Sequence, residues 1–192
     1  MAQATPPLQR ETRNELRTVK RIVTYWLIPA EPARRYFSSV ISDLAARFDA
    51  PVFEPHMTVY ATTMGKDDGA ALLEQVVADC RTYSLRLSGV GYSDEFTKTV
   101  FVQFHPSEAL SRLSANFREA SSVKGEYQLN PHLSLIYKTM PPERKAEIAN
   151  SMSLPFEEVR FDSAQAVISP ADINSREDVE AWRIVATQKL SG

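Results

Sequence analysis

The sequence predicts an α+β domain with several mixed or antiparallel strands and about four helices. Short β-favouring runs with two-residue alternation are interleaved with segments whose apolar residues recur every three to four positions. The changes of period fall at clusters of Pro, Gly, Ser and Asn, the residues that break regular structure. With 192 residues, 43% of them hydrophobic, the chain can bury a substantial apolar interior.

The first strand covers 21–28, where Ile22, Val23, Tyr25, Trp26 and Leu27 run up to Pro29. The spacing of Tyr36/Phe37, Val40/Ile41, Leu44 and Phe48 predicts a core-facing helix over 31–49. Pro51 and Pro55 bracket a loop before a second strand at 56–61. A turn over 65–69 leads to a helix over 70–81 with Leu72, Leu73, Val76 and Val77 inward. Strands at 83–90 and 97–104 flank a polar loop at 91–95. His105-Pro106-Ser107 starts a helix striped by Leu110, Leu113 and Phe117. Asn130-Pro131 feeds a strand at 132–137, and Pro141-Pro142 opens a helix to about 151, proline being tolerated in a first turn. Strands at 157–161 and 164–168, a turn over 169–176 and a last strand at 179–190 close the pattern. Residues 1–20 read as a flexible leader outside the fold and 21–192 as one domain.

Lys and Arg number 22 against 24 Asp and Glu, a formal charge of −2. That balance argues against a surface built for long nucleic acid, and it leaves room for a small anion held by local donors. Cys80, the only cysteine, excludes an intrachain disulfide and a thiolate-rich metal site. It reads as a packed or surface thiol at a helix end, in a reducing, cytoplasmic setting. No apolar run is long enough to cross a bilayer, and the N-terminus lacks the core of a signal peptide. Asp67-Asp68 and Asp94-Glu95 fall in solvated, turn-like segments away from any histidine, a poor start for a metal site. No metal, no cofactor and no membrane contact is called for, and a monomer is expected.

One internal echo carries chemistry. Pro55-His56-Met57-Thr58-Val59 and Pro131-His132-Leu133-Ser134-Leu135 both read Pro-His-apolar-hydroxyl-apolar, and they hold two of the three histidines. Along a strand, residues i and i+2 share a face. His56 therefore projects with Thr58 and His132 with Ser134, while Met57, Val59, Leu133 and Leu135 face the other way. Two such strands side by side gather two imidazoles and two hydroxyls on one surface. In-line displacement at phosphorus needs a base for the attacking water and an acid for the departing oxygen. Histidine serves as either, its ordinary pKa being about 6.5. The hydroxyls of Thr58 and Ser134 can donate to the non-bridging oxygens as charge redistributes. Either motif alone is weak, and the pair in matching context is what counts. His105 precedes Pro106, lacks the hydroxyl pattern and reads as a helix-start or surface residue.

The twin motifs resemble the two-histidine phosphoesterase superfamily, whose signature is a pair of His-x-Thr/Ser motifs. Within it the chain is most similar to cyclic phosphodiesterases acting on ADP-ribose 1″,2″-cyclic phosphate and nucleoside 2′,3′-cyclic phosphates. Tyr25-Trp26-Leu27-Ile28-Pro29, His132-Leu133-Ser134-Leu135-Ile136-Tyr137 and Val179-Glu180-Ala181-Trp182-Arg183 carry that likeness, which covers about 21–190. The resemblance implies a bilobal, pseudo-symmetric fold, with antiparallel sheets lining a V-shaped cleft and helices outside. It implies opening of a small cyclic phosphodiester by water without metal, a 2′,3′-cyclic nucleotide giving the 2′-phosphate. His132 is then the base toward water, His56 the acid toward the leaving oxygen, and Thr58 and Ser134 are phosphate ligands.

Tyr137 matches a family tyrosine near the site, yet strict alternation puts it on the face opposite His132. It is a site residue or an ordinary core tyrosine. Phe96 is a candidate to stack on a nucleobase or to anchor its loop. Lys98 and Lys138 are available to draw an anion, a weak sign because exposed lysines are common. Trp26 and Trp182 read as core. The alternatives are RNA-end processing by the same pair of histidines and a nucleotide-binding module without turnover.

Overall fold

The computed structural model describes residues 20–65 and 69–192. The leader expected over 1–20 lies outside them except for Lys20, as do Asp67 and Asp68 and the centre of the turn over 65–69. The elements in chain order are β1 (Arg21–Pro29), α1 (Ala33–Phe48), β2 (Met57–Thr63), α2 (Ala70–Val77), β3 (Tyr83–Tyr92), β4 (Val100–Phe104), α3 (Glu108–Ala120), β5 (His132–Ile136), α4 (Pro142–Ser151), β6 (Glu158–Pro170), α5 (Arg176–Glu180) and β7 (Arg183–Lys189).

The strands form one antiparallel sheet in the order β2-β1-β6-β3-β4-β5, with β7 also beside β6. The sheet divides where β3 changes partners. Tyr83 to Arg86 pair with β6, whereas Leu87 to Tyr92 pair with β4. One lobe is therefore β2-β1-β6-β7 and the other β3-β4-β5. The halves repeat one order of elements, β1-α1-β2-α2-β3 against β4-α3-β5-α4-β6. Each lobe's first helix packs across the divide, α1 on β5 and α3 on β2. That exchange locks the halves together and brings β2 and β5, the two ends of the strand order, close to one another. The expected bilobal α+β fold is the one observed.

Local chemistry explains the elements. Phe37, Ile41, Leu44 and Ala45 give α1 its buried stripe, and Ser107 caps α3 by accepting from the Leu110 amide. Phe117 of α3 is fully buried and stacks on Tyr25 at 4.3 Å and on Tyr60 at 6.3 Å. Such pairs contribute about 0.5–1.5 kcal/mol each beyond the area they bury.

Three expectations need correction. The strands expected at 157–161 and 164–168 are one strand, β6, because Asp162 and Ser163 supply no breaker and Ser163 stays in register with Ile28 and Lys189. The segment 179–190 begins as helix: Ser175 and Asp178 form a reciprocal capping box that nucleates α5, and β7 starts only at Arg183. Phe96–Lys98 is a short 3-10 turn, so β4 starts at Val100.

Candidate active site

In both motifs a proline separates the histidine from the carbonyl that fixes its ring. His56 Nδ1 lies 2.6 Å from the Glu54 carbonyl oxygen, and His132 Nδ1 lies 2.7 Å from that of Asn130. Pro55 and Pro131 fix their own φ and push the residue before them into extended conformations, which presents that carbonyl to the ring at little entropic cost. A carbonyl oxygen can only accept, so Nδ1 carries the hydrogen in each ring. Nε2 is left to a ligand, as lone pair in the neutral form and as N–H in the cation.

The strands then place the hydroxyls by the same device twice. Thr58 sits opposite Trp26, and the register slips so that Tyr60, not Val59, meets Tyr25. Ser134 sits opposite Phe101, and the register slips so that Ile136, not Leu135, meets Val100. A single extra residue flips the faces of everything after it. Ala61, five residues after His56, and Tyr137, five after His132, consequently return to the side of their histidines. The conflict over Tyr137 resolves in this slip and in the end of β5 at Ile136.

His56, Thr58, His132 and Ser134 line one cavity of about 310 Å³, together with Tyr137. His56 is buried and lies under the indole of Trp26, ring centroids 3.7 Å apart and planes 14° apart. His132 is half-buried, with Phe101 against it edge to face at 5.6 Å. Ser134 Oγ donates to the Thr97 carbonyl at 2.7 Å, so it must turn to donate to a ligand. Tyr137 is buried and stacks on Phe53 at 3.9 Å; burial raises its pKa, with the neighbouring Ser134 side chain opposing. Phe96 is not among the cavity residues. It packs with Ile41, Phe53, Tyr137 and Val179 as an anchor of its loop. Trp26 and Trp182 stand behind His56 as packing, as their apolar setting suggests. His105 is exposed just past the end of β4.

Tyr127 was not legible beforehand. It lines the cavity and donates from its hydroxyl to the Thr58 carbonyl at 2.9 Å. Gly125 permits this approach, since a Cβ there would stand 2.2 Å from the Ala61 carbonyl oxygen. A glycine two residues before an aromatic is the only trace in the sequence.

Burial dominates the electrostatics. Desolvation lowers the His56 pKa to about 4 against the opposing hydrogen bond to the Glu54 carbonyl, with His132 adding a smaller depression. Desolvation lowers His132 too, Lys98 lowering it further and the Asn130 carbonyl and Glu95 opposing. Lys98 is the one lysine or arginine among the described residues lining the cavity, its ammonium resting 4.8 Å from the Phe101 ring centroid. Lys138 instead donates to the Asp49 carbonyl at 2.9 Å. The loop carrying Glu95 to Lys98 is held by Lys145, whose buried ammonium pairs with Asp94 and donates to the Ser93 carbonyl. Asp94 is thereby committed to an ion pair. Among the described residues no cluster of three or more His, Cys, Asp or Glu is gathered, and no helix is long and apolar enough to cross a membrane. Cys80 follows α2, half-buried, its thiol donating to the Val76 carbonyl.

Two rings with the same tautomer, each beside a hydroxyl and facing one cavity, suit acid–base chemistry on a small anion. The family described as "Cyclic phosphodiesterase-like protein" matches residues 22–190. The chain belongs to that family. The family lies within the two-histidine phosphoesterases, and the chain is a phosphoesterase by this membership. Among curated proteins no sequence match is found. Among solved structures the chain is similar to the TT0787 protein of Thermus thermophilus, with 18% identity, TM-score 0.59 and coverage of 89% of this chain and 98% of that one. It is similar to a protein solved as a phosphoesterase, with 13% identity, TM-score 0.58 and coverage of 90% and 99%. The LigT protein of E. coli, solved with 3′-AMP, gives 11% identity, TM-score 0.54 and coverage of 90% and 99%. At these identities the likeness fixes the fold alone.

Proposed function

We propose that the protein opens a small cyclic phosphodiester with water, by acid–base catalysis between His132 and His56 and without metal. The substrates are a nucleoside 2′,3′-cyclic phosphate, giving the 2′-phosphate, or ADP-ribose 1″,2″-cyclic phosphate. The observation that carries this reading is the pair of carbonyl-clamped imidazoles lining one cavity with Thr58 and Ser134. A structural neighbour, LigT, was solved with a mononucleotide, 3′-AMP, and the cavity is of the size that takes small ligands. A small ligand, a monomer and a cytoplasmic setting belong to the same proposal.

His132 starts neutral, and its Nε2 takes a proton from water as the water oxygen bonds to phosphorus. The P–O3′ bond breaks on the opposite side, and protonated His56 gives its Nε2 proton to O3′. The products are a 2′-phosphomonoester and a free 3′-hydroxyl. The pair ends with protonation exchanged and resets through solvent. Lys98, beside His132, favours the neutral ring there. The indole face over His56 supports a cation once an anion occupies the cleft. Thr58 and Ser134 donate to the non-bridging oxygens, and Tyr137 orients Ser134.

The test is a panel assay with exhaustive chelation, product regiochemistry being determined for each substrate. Turnover of cyclic mononucleotides or ADP-ribose cyclic phosphate that survives chelation is the expected result. Turnover confined to oligonucleotide ends, or lost with the metal, overturns the reading.

The pH dependence follows with its sign. Both free-enzyme pKa values lie below 6.5, and the active form needs one neutral and one protonated ring. The profile of kcat/KM should be a bell with its maximum on the acid side of about pH 6.5. The bound phosphate anion raises the acid's pKa, so the upper limb of kcat should lie at higher pH than that of kcat/KM. A kcat/KM that climbs through neutrality to a plateau contradicts this.

A further inference from the structure

The two halves of the cleft differ at one equivalent position. Ala61 and Tyr137 each stand five residues after a motif histidine, each past a one-residue slip in register, and each lines the cavity. On the β5 side the position is filled by a phenol that stacks on Phe53. On the β2 side it holds a single methyl. Around Ala61 lie Thr24, its partner across β1, then Ile22 one alternation further, and the half-buried ring of Tyr127. These four carry no charge at neutral pH, burial pushing the Tyr127 phenol up to about 12. The charged residues lining the cavity, Glu95 and Lys98, both sit in the loop before β4, near His132. The cleft thus has a charged end and an uncharged, aromatic-edged end.

We propose that Ile22, Thr24, Ala61 and Tyr127 form the subsite for the organic group of the substrate, the nucleoside or ribosyl portion attached to the cyclic phosphate. This rests on the hydrolytic reading above and adds a direction to it. The phosphate lies between the imidazoles, and the sugar and base extend along β2 over Ala61. The small side chain leaves the room, Ile22 and Tyr127 supply apolar and aromatic surface, and Thr24 supplies a hydroxyl. Ala61 is then a specificity-determining residue, since the length of its side chain sets how large a substituent the phosphate can bear.

The experiment compares Ala61→Tyr, which copies the other half, and Ala61→Val on two substrates. One is adenosine 2′,3′-cyclic phosphate, and the other is glycerol 1,2-cyclic phosphate, which has the same five-membered ring and almost nothing beyond it. Ala61→Tyr should raise KM for the nucleotide about 10-fold or more, with Ala61→Val between it and wild type. The glycerol compound should keep its kcat/KM within about two-fold, which also reports an intact fold and site. Calorimetric titration with adenosine 2′-monophosphate and with inorganic phosphate separates the two levels of inference. The subsite predicts that Ala61→Tyr weakens the nucleotide and leaves phosphate unaltered, whereas the hydrolytic reading stands on wild-type turnover. Equal losses on both substrates, or unchanged nucleotide binding in Ala61→Tyr, overturn the subsite.

Discussion

Replacing His132 with alanine is expected to lower kcat/KM for a cyclic phosphate by about 10²–10⁴-fold, the usual contribution of a positioned acid or base. His56→Ala should cost a similar amount. The double variant should be little worse than either single one, because in the proposed mechanism the two rings act on one phosphorus in one step and do not contribute independently. Binding of the product nucleotide should change far less than turnover in each variant. Thr58 and Ser134, the proposed phosphate ligands, still line the cavity of about 310 Å³ in each variant. Steady-state kinetics beside calorimetric titration with product measure both quantities. Full hydrolysis by both alanine variants contradicts the mechanism, whereas loss of binding and turnover together in each reduces the histidines to ligand contacts.

Trp26→Ala should have the largest effect on stability. The indole is buried between His56, at 3.7 Å, and Trp182, at 5.1 Å, so its removal opens a cavity in the small cluster it forms with Ile28, Val167 and Trp182. Deletions of this size cost about 3–5 kcal/mol, a large share of the marginal stability of a domain. A second consequence is electrostatic. Burial is the main cause of the lowered His56 pKa, and water entering beside the ring should move it from about 4 back toward 6.5. A depressed histidine destabilises the fold as pH falls below its unfolded value, so the wild type should lose stability on acidification from pH 6.5 toward 4. The variant should lose less over that window. Urea unfolding at several pH values and titration of the ring protons by NMR measure the two effects. Trp26→Phe, which keeps a flat face, should lie between. An unshifted His56 in Trp26→Ala would mean that neighbours other than the indole desolvate it.

The echo of Pro-His-x-Thr/Ser was legible because its content is local. Strand alternation puts histidine and hydroxyl on one face, and proline sets the carbonyl that clamps the ring. The helices were legible for the same reason, through the stripes of Phe37, Ile41 and Leu44 and of Leu110, Leu113 and Phe117. What depends on a distant partner was not. The slips at Val59 and Leu135 exist only against Trp26 and Phe101, and they decide that Ala61 and Tyr137 turn toward the cavity. Tyr127 reaches Thr58 because Gly125 lets its loop lie on the β2 backbone, an approach that no periodicity encodes. The union of two expected strands in β6 likewise follows from pairing with β1, β3 and β7 at once. The capping box at Ser175 and Asp178 could have been read, since Ser-x-x-Asp ahead of Val179 is a helix start.

The division of labour between the rings can be separated by the leaving group. A 2′,3′-cyclic phosphate with sulfur in place of O3′ departs as a thiolate, which needs no proton from an acid, its conjugate thiol having a pKa of about 8.5. His56→Ala should regain most of its lost rate on this substrate, while His132→Ala, which lacks the base for water, should remain as slow as before. Equal impairment of both variants on the sulfur and oxygen compounds would contradict a two-histidine acid–base pair at this phosphorus.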